Sequence, residues 1–254
     1  MRPAGLSVGG WPCLANRKVS PMHLEKIGEQ QTDHMPLDFP LSLMKPLLDG
    51  FSAPVAAFDP RKAWKARYLT YCLVGNVKVP TGFVALDRTS AGGGYMLRLR
   101  CERSAGKGRV HRLDGEVSGA TDELATPREW RATGDAAGAR GTRLRSHWNG
   151  SAEKLSGKLS HQWSLLDAIQ RMPQKPFPKL SFQYITYDGA LLPRHTLAYR
   201  GAVEIQTGQG PLRLHGYEQL GGGILPWIYY TGDSGRLLIA VSGLEAWLFD
   251  GAAI

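Results

Sequence analysis

Arginines occupy alternate positions of several strand-like segments in this sequence. They are Arg98, Arg100, Arg143, Arg145, Arg200 and Arg213. Alternate residues of a strand project to one face, so neighbouring strands would gather these guanidinium groups on one side of a sheet. Such a face could bind phosphate, sulfate or carboxylate groups in a bidentate manner. The same pattern also fits the solvent-facing side of an ordinary sheet.

Large aromatic residues predict a second kind of site, on the opposite face. Trp163 lies in a segment with helical spacing, whereas Tyr217, Trp227 and Tyr229 lie in late strand-like segments. Together they could line a cavity between a helix and a sheet, where barrels commonly hold ligands. The alternative is a filled core, because large aromatic residues pack cores as often as pockets.

An enzyme using the same cavity is a further alternative, with His195, Tyr217 or Glu218 as its polar groups. A second acid–base set would combine His147 and His161 with Asp167 or Asp188, if folding brings them together. Local metal-binding and phosphate-binding motifs are missing: the sequence has no HExxH and no phosphate-binding loop. We therefore predict no metal site and no cofactor.

The net charge of +9 is concentrated in the middle of the chain, where residues 61–200 carry 24 Lys and Arg against 11 Asp and Glu. This basic zone could dock an acidic partner. Nucleic acid is disfavoured because aromatic residues are not interleaved with the arginines as a stacking platform requires. The three cysteines, Cys13, Cys72 and Cys101, form no CxxC pair, and the last two are expected to be buried free thiols.

No run of 18 apolar residues and no clear signal peptide occurs, so we expect no transmembrane segment. A cytoplasmic location is the default, and export stays open if the start codon is miscalled. Residues 1–37 lack periodicity and are expected to form a disordered arm, followed by a single antiparallel β domain over 38–254. Its first element is a short helix over 38–50, packed on the sheet edge and interrupted by Pro46.

The rest of the sequence reads mainly as strands. Between Ser104 and Ala139 we expect one strand, over Val110–Val117, and otherwise long loops. In TLAYRGAVEI the alternation places Leu197, Tyr199, Val203 and Ile205 on one face. A helix capped by Ser160 and stopped by Pro173 interrupts the strands. The predicted fold class is mainly β: a strongly curved antiparallel sheet or open β-barrel with one helix covering its concave side or mouth, and a short N-terminal helix.

The run from Leu214 to Phe249 combines the aromatic strand LPWIYY, the turn DSG and the apolar strand RLLIAV. It resembles the ends of uncharacterised bacterial families of antiparallel β-barrels or half-barrels. In outline it is also similar to the lipoprotein-localisation-factor type of half-barrel. The resemblance spans about residues 181–249. The resemblance implies a curved sheet and a covering helix that enclose an apolar ligand, and it carries over no catalytic residue.

These observations favour a binding protein for a small apolar or amphipathic molecule or lipid, with an anionic group of that molecule held by arginine. The rivals are an isomerase- or cyclase-type enzyme and an interaction module that docks on an acidic partner. Ligand identity and oligomeric state are not readable from the sequence.

Overall fold

A computed structural model describes residues 36–54, 56–74, 77–104, 110–135, 143–148, 157–243 and 245–251. Its described part contains three helices and thirteen strands, and all the strands belong to one sheet. The helices are α1 (Asp38–Leu43), α2 (Lys45–Leu48) and α3 (Gln162–Gln170). The strands are β1 (Trp64–Val74), β2 (Val77–Ala91), β3 (Gly94–Ser104), β4 (Val110–Ala120), β5 (Pro127–Asp135), β6 (Arg143–Trp148), β7 (Leu159–His161), β8 (Leu180–Ile185), β9 (Leu191–Thr207), β10 (Gly210–Leu220), β11 (Trp227–Thr231), β12 (Leu237–Ser242) and β13 (Glu245–Gly251).

The sheet rolls into a nearly closed barrel. Its strand order is β6-β5-β4-β3-β2-β1-β13-β12-β11-β10-β9-β8-β7, antiparallel throughout except for the parallel pair β7–β8. The two ends of the sheet approach each other at a seam, where the Ser160 hydroxyl donates to the Leu124 carbonyl at 2.8 Å and the Thr126 hydroxyl donates to the Leu159 carbonyl at 3.2 Å. The predicted fold class, a curved antiparallel sheet or open barrel with few helices, is confirmed.

Strand alternation gives the barrel an apolar lumen. In β3, for example, Leu97, Leu99 and Cys101 are buried while Arg98 and Arg100 are exposed. The buried set continues in register across the neighbouring strands, because residues directly opposite one another in a sheet share a face. Cys72 and Cys101 are both buried free thiols, as the sequence predicts.

Helix α3 lies inside this lumen rather than across its mouth. It contacts β3 and β4 on one wall and β11 and β12 on the other, so it must lie between them. The ring of Trp163 packs on Gly115, at the middle of β4, where an added Cβ would overlap it. At the other end of the helix, the Leu237 N–H at the start of β12 donates to the side-chain carbonyl of Gln170 at 3.2 Å. We call the end reached by Gln170 the lower end, and the end where β1 stops and β13 starts the upper end.

A buried ion cluster fixes α3 in the lower half of the lumen. The carboxylate of Asp167 accepts from Arg88 of β2 at 2.5 Å and from Arg171 at 3.1 Å, and neither Arg88 nor Asp167 is exposed. Arg88 also donates to the carbonyls of Arg61 and Lys62, and Arg171 donates to those of Thr121 and Asp122. This cluster of Arg88, Asp167 and Arg171, the Asp167 trio, joins the helix, one strand and two lower loops.

The short helices α1 and α2 cover the outer wall of the barrel, not a sheet edge. Leu41, Met44 and Leu48 are buried. Leu37 packs on Gly216 of β10, and its carbonyl accepts from the Tyr230 hydroxyl of β11 at 2.7 Å. This half of the barrel is therefore apolar on both faces, which explains the fully buried pattern of β12.

Three expectations about local structure are wrong. Strand β5 lies where a loop is predicted. The prediction misses it because, in its sequence PREWRATGD, only Trp130 and Ala132 supply buried apolar side chains within the strand body. Helix α3 is capped by His161, not Ser160. A bulge at Gly201, with a φ of 116°, inserts a residue into β9, so Tyr199 pairs with Tyr217 while Val203 pairs with Leu214 on the opposite face.

We expect the Asp167→Asn variant to lose about 3–5 kcal/mol of unfolding free energy, because two buried guanidinium groups lose their counter-charge. Urea denaturation followed by tryptophan fluorescence measures the loss. Glu116 offers a matched control, because it also bonds two arginines, Arg98 and Arg131, each at 2.9 Å but at the exposed outer surface.

Glu116→Gln should cost no more than about 1 kcal/mol, as is usual for surface ion pairs. If the two variants lose similar amounts, burial does not set the strength of the Asp167 trio.

Candidate functional site

An aromatic wall lines the upper half of the lumen on the late strands. Trp227 stacks on Tyr229 with ring centroids 5.8 Å apart and meets Trp247 edge-on at 5.4 Å. Tyr184 stacks on His195 at 4.8 Å. Tyr184, His195 and Tyr229 are buried, whereas Trp227 is only partly buried, so the wall runs from the core towards the upper opening.

A hydrogen-bonded chain holds this wall in place. The Tyr229 hydroxyl donates to the Gln219 side-chain oxygen at 2.8 Å, and the Gln219 amide lies 3.2 Å from Nδ1 of His195. Nε2 of His195 then reaches the Gly222 carbonyl at 3.2 Å. One tautomer satisfies every step, with the His195 proton on Nε2. Burial lowers the pKa of His195, against the opposing effect of its bond to Gly222, so the ring is held neutral.

The sequence-predicted site residues divide between this wall and the packed core. Trp227, Tyr229 and His195 come together at the wall. Tyr217 lies deeper, where its hydroxyl reaches the Pro173 carbonyl at 3.3 Å, and burial raises its pKa to about 12. Trp163 is fully buried at the seam, where its ring packs on Gly115 of β4.

Two nitrogen atoms at the seam are buried without a hydrogen-bond partner. His161 lies between Trp130, at 5.0 Å, and Trp163, at 4.9 Å, measured between ring centroids. Nδ1 of His161 accepts the backbone N–H of Trp163 at 3.2 Å, which caps α3 and places the ring proton on Nε2. Neither Nε2 of His161 nor Nε1 of Trp130 has a partner. Burial lowers the pKa of His161 to about 3, so this ring is neutral and both nitrogens are N–H donors.

The arginines of β3 belong to an alternating charge ladder on the outer surface of the barrel, and the backbone register of this ladder continues into β6. One row of this outer ladder runs in register across six strands: Lys65, Asp87, Arg98, Glu116, Arg131 and His147. The next row places Arg100 opposite Asp114, which is followed by Thr133 and Arg145. Arg143 lies one further row along, opposite Asp135. Opposite charges therefore face each other across most strand pairs, which stabilises the register by about 0.2–1 kcal/mol per pair.

An open groove of about 680 Å³ follows the outer ladder, lined by both signs of charge. Arg200 and Arg213 do not join it, because they lie on β9 and β10 in the other half of the barrel. Arg200 pairs with the buried carboxylate of Glu218 at 2.8 Å, and Arg213 faces Glu204. The six arginines thus do not share one face.

A second polar cluster, near the lower end, was not predicted from the sequence. The Tyr199 hydroxyl lies 3.0 Å from Nδ1 of His215, and Nε2 of His215 lies 2.9 Å from the carboxylate of Asp233. Burial raises the pKa of Tyr199, and nearby Arg213 opposes that rise. The strand alternation would place Tyr199 and His215 on neighbouring strands, but only the β11–β12 turn brings Asp233 to them.

The acid–base sets that the sequence predicts are otherwise engaged or apart. Asp167 belongs to its buried trio, and Asp188 accepts from the Thr186 hydroxyl in a surface turn. The His147 side chain lies outside the described residues. Within the described ranges, no three His, Cys, Asp or Glu side chains cluster closely enough to hold a metal ion. The helices described here are all too short or too polar to cross a membrane.

Comparison with known proteins adds little. No family model and no curated protein matches this sequence. One solved structure, a β-barrel-like protein of the domain of unknown function DUF1849 from Brucella abortus, is similar over 76% of this chain and 96% of that chain, with 8% sequence identity and a TM-score of 0.41. The resemblance to the lipoprotein-localisation-factor half-barrel stays a prediction.

We expect acid to destabilise the fold through His161. Its folded-state pKa of about 3 lies below the ordinary value of 6.5, so the unfolded chain binds more protons below pH 6.5. The unfolding free energy should therefore fall as the pH drops from 6.5 towards 3, by about 2 kcal/mol from this group at pH 5. Urea denaturation at pH 7 and pH 5 measures the change.

His161→Asn keeps an oxygen acceptor at the helix cap and removes the titrating ring. Between pH 7 and pH 5, the unfolding free energy of this variant should fall by about 2 kcal/mol less than that of the parent protein. An equal loss in both proteins would show that His161 does not contribute.

Proposed function

We propose that this protein binds a small apolar or amphipathic molecule, or a lipid, at the upper end of its barrel. The observation that carries the proposal is the distribution of exposed large hydrophobic side chains. Of the five in the described residues, Val79, Val110, Leu191 and Leu225 lie at upper strand ends or in an upper loop, and only Phe39 lies elsewhere. Water contact is unfavourable for such an apolar rim unless something covers it.

The aromatic wall supports the same location. Trp227 links the apolar rim to the buried rings of Tyr229 and Trp247, so an apolar tail could pass from the rim onto a continuous aromatic surface. Aromatic side chains contribute large contact areas in ligand sites of this kind.

The other parts of the barrel are less suited to an apolar ligand. The lower half of the lumen is occupied by α3, whose residues from Trp163 to Gln170 are all buried. The outer wall of the late strands is covered by α1 and α2, and the outer ladder is charged. The upper end is thus the favoured place for an apolar guest.

We expect the fluorescent amphiphile N-phenyl-1-naphthylamine to bind with enhanced emission, and Leu225→Glu to weaken this binding by about tenfold or more, because a carboxylate beside the guest must be desolvated. Phe39→Glu is the matched control, since Phe39 on α1 is 50% exposed and Leu225 is 55% exposed. Its affinity should equal that of the parent protein.

If both substitutions weaken probe binding equally, the binding site does not lie at the apolar rim. An absence of binding in the parent protein, together with native mass spectra free of any bound molecule after purification from its own host, would contradict the proposed function.

A second candidate function, acid–base catalysis, rests on the Tyr199–His215–Asp233 cluster. With its Nε2 proton directed at Asp233, His215 leaves Nδ1 free to accept the phenol proton, the arrangement by which a carboxylate and an imidazole activate a hydroxyl. Arg213 lies near enough to oppose the rise that burial causes in the pKa of Tyr199, and it could hold an anionic substrate. The polar residues first considered fit this role less well, because His195, Tyr217 and Glu218 already have partners.

The probe for this second candidate is p-nitrophenyl acetate. Tyr199 would attack the acetyl carbonyl, its proton would pass to Nδ1 of His215, and p-nitrophenolate would leave a tyrosyl acetate that water hydrolyses. We expect Tyr199→Phe to slow p-nitrophenolate release by on the order of a hundredfold. Tyr217→Phe, the neighbouring tyrosine, should not slow it, and equal rates in all three proteins would exclude this chemistry at Tyr199.

A further inference from the structure

We infer that the guest carries a carboxylate, which the N–H groups of His161 and Trp130 bind at the first turn of α3. This inference rests on the proposed function and adds the chemistry of the ligand's head group. Its starting point is the pair of buried nitrogens without a partner at the seam.

Buried N–H groups without an acceptor are rare, since each costs about 1–3 kcal/mol. Here two occur on neighbouring rings, whose centroids are 5.0 Å apart. The tautomer of His161 is fixed by the Trp163 N–H on Nδ1, so the ring cannot turn Nε2 into an acceptor to relieve the cost. An oxygen of a bound molecule, held at the edges of both rings, would give each donor a partner.

The electrostatics of the lumen favour an anion over a neutral oxygen. Largely buried lumen side chains in the described residues include four cations, Arg88, Arg103, Arg171 and Arg236, but only two carboxylates, Asp167 and Glu245. His161 and His195 are held neutral by burial. The lumen therefore carries a net positive charge, and a helix N-terminus adds to it.

The two parts of the inferred site are joined along the chain. His161 pairs with Ile185 at the upper end of β8, and the Tyr187 N–H just beyond it donates to the Gln162 side chain at 3.3 Å. The start of α3 thus joins the β4–β5 loop, which Ser160 contacts at Leu124, to the upper end of β8, where Ser160 pairs with Tyr184 of the aromatic wall. A carboxylate at His161 with its tail directed to the apolar rim would use both surfaces.

The test compares palmitate, hexadecylamine and acetate as competitors of N-phenyl-1-naphthylamine on the full chain. We expect palmitate to compete at least tenfold better than hexadecylamine, because a carboxylate gains charge-assisted hydrogen bonds where an ammonium group is repelled. Acetate should compete far more weakly than palmitate, since it lacks the apolar tail.

Trp130→Phe should weaken the binding of palmitate by on the order of tenfold and leave the affinity for the naphthylamine probe unaffected. Trp64→Phe is the matched control, because the indole nitrogen of Trp64 is also buried without a partner but lies on β1, away from His161. In the unsubstituted protein, the Trp130 indole N–H and the His161 Nε2 resonances should shift when palmitate binds, a readout that needs no variant.

The outcomes separate the two claims. Probe binding with no preference for palmitate, or without these shifts, overturns the carboxylate site and keeps the apolar guest. Equal effects of Trp130→Phe and Trp64→Phe also overturn it, and leave a bridging water as the partner of the two N–H groups. If the probe itself does not bind, the proposed function fails first.

Discussion

The Asp167 trio is the interaction on which the interior of this barrel depends. A barrel of thirteen strands is too wide to be filled by its own wall side chains, and here a helix supplies the missing volume. A helix with eight consecutive buried residues cannot avoid burying polar groups. Asp167 and Gln170 offset that cost by bonding to the barrel wall. Their partners lie on β2 and β12, in different parts of the wall, so the two bonds hold the helix in place.

This attachment also divides the lumen into two halves. Fixing α3 from the middle of β4 to the lower end leaves the upper half without a helix, so side chains and hydrogen-bonded aromatic rings line it instead. The cap of α3 sits at the boundary between the halves. It is there that His161 and Trp130 keep unpaired donors, each at the cost of an unmade hydrogen bond.

Much of the fold follows from strand alternation, and the errors have identifiable causes. Alternation predicts β3 correctly because Leu97, Leu99 and Cys101 are apolar and the residues between them are charged. It misses β5 because Ala132 and Gly134 at inward positions are small, so the strand carries few apolar side chains. It assigns Val203 to the wrong face because a bulge changes the phase, and a bulge at a single glycine has no signature in hydrophobicity.

The candidate site was only partly predictable for a related reason. Trp227 and Tyr229 are near one another in sequence on β11, and His195 on β9 reaches them across β10 through Gln219, within one run of antiparallel strands that local pattern predicts. His161 and Trp130 meet only because the sheet rolls up and its two ends approach, a consequence of strand number and stagger that no local pattern encodes. The same closure sets the charge balance of the lumen. Arg98 and Arg100, which stand out in the sequence as an alternating series, face the carboxylates of Glu116 and Asp114 on the outer ladder, whereas the cations that could attract a ligand are single residues from four separate segments.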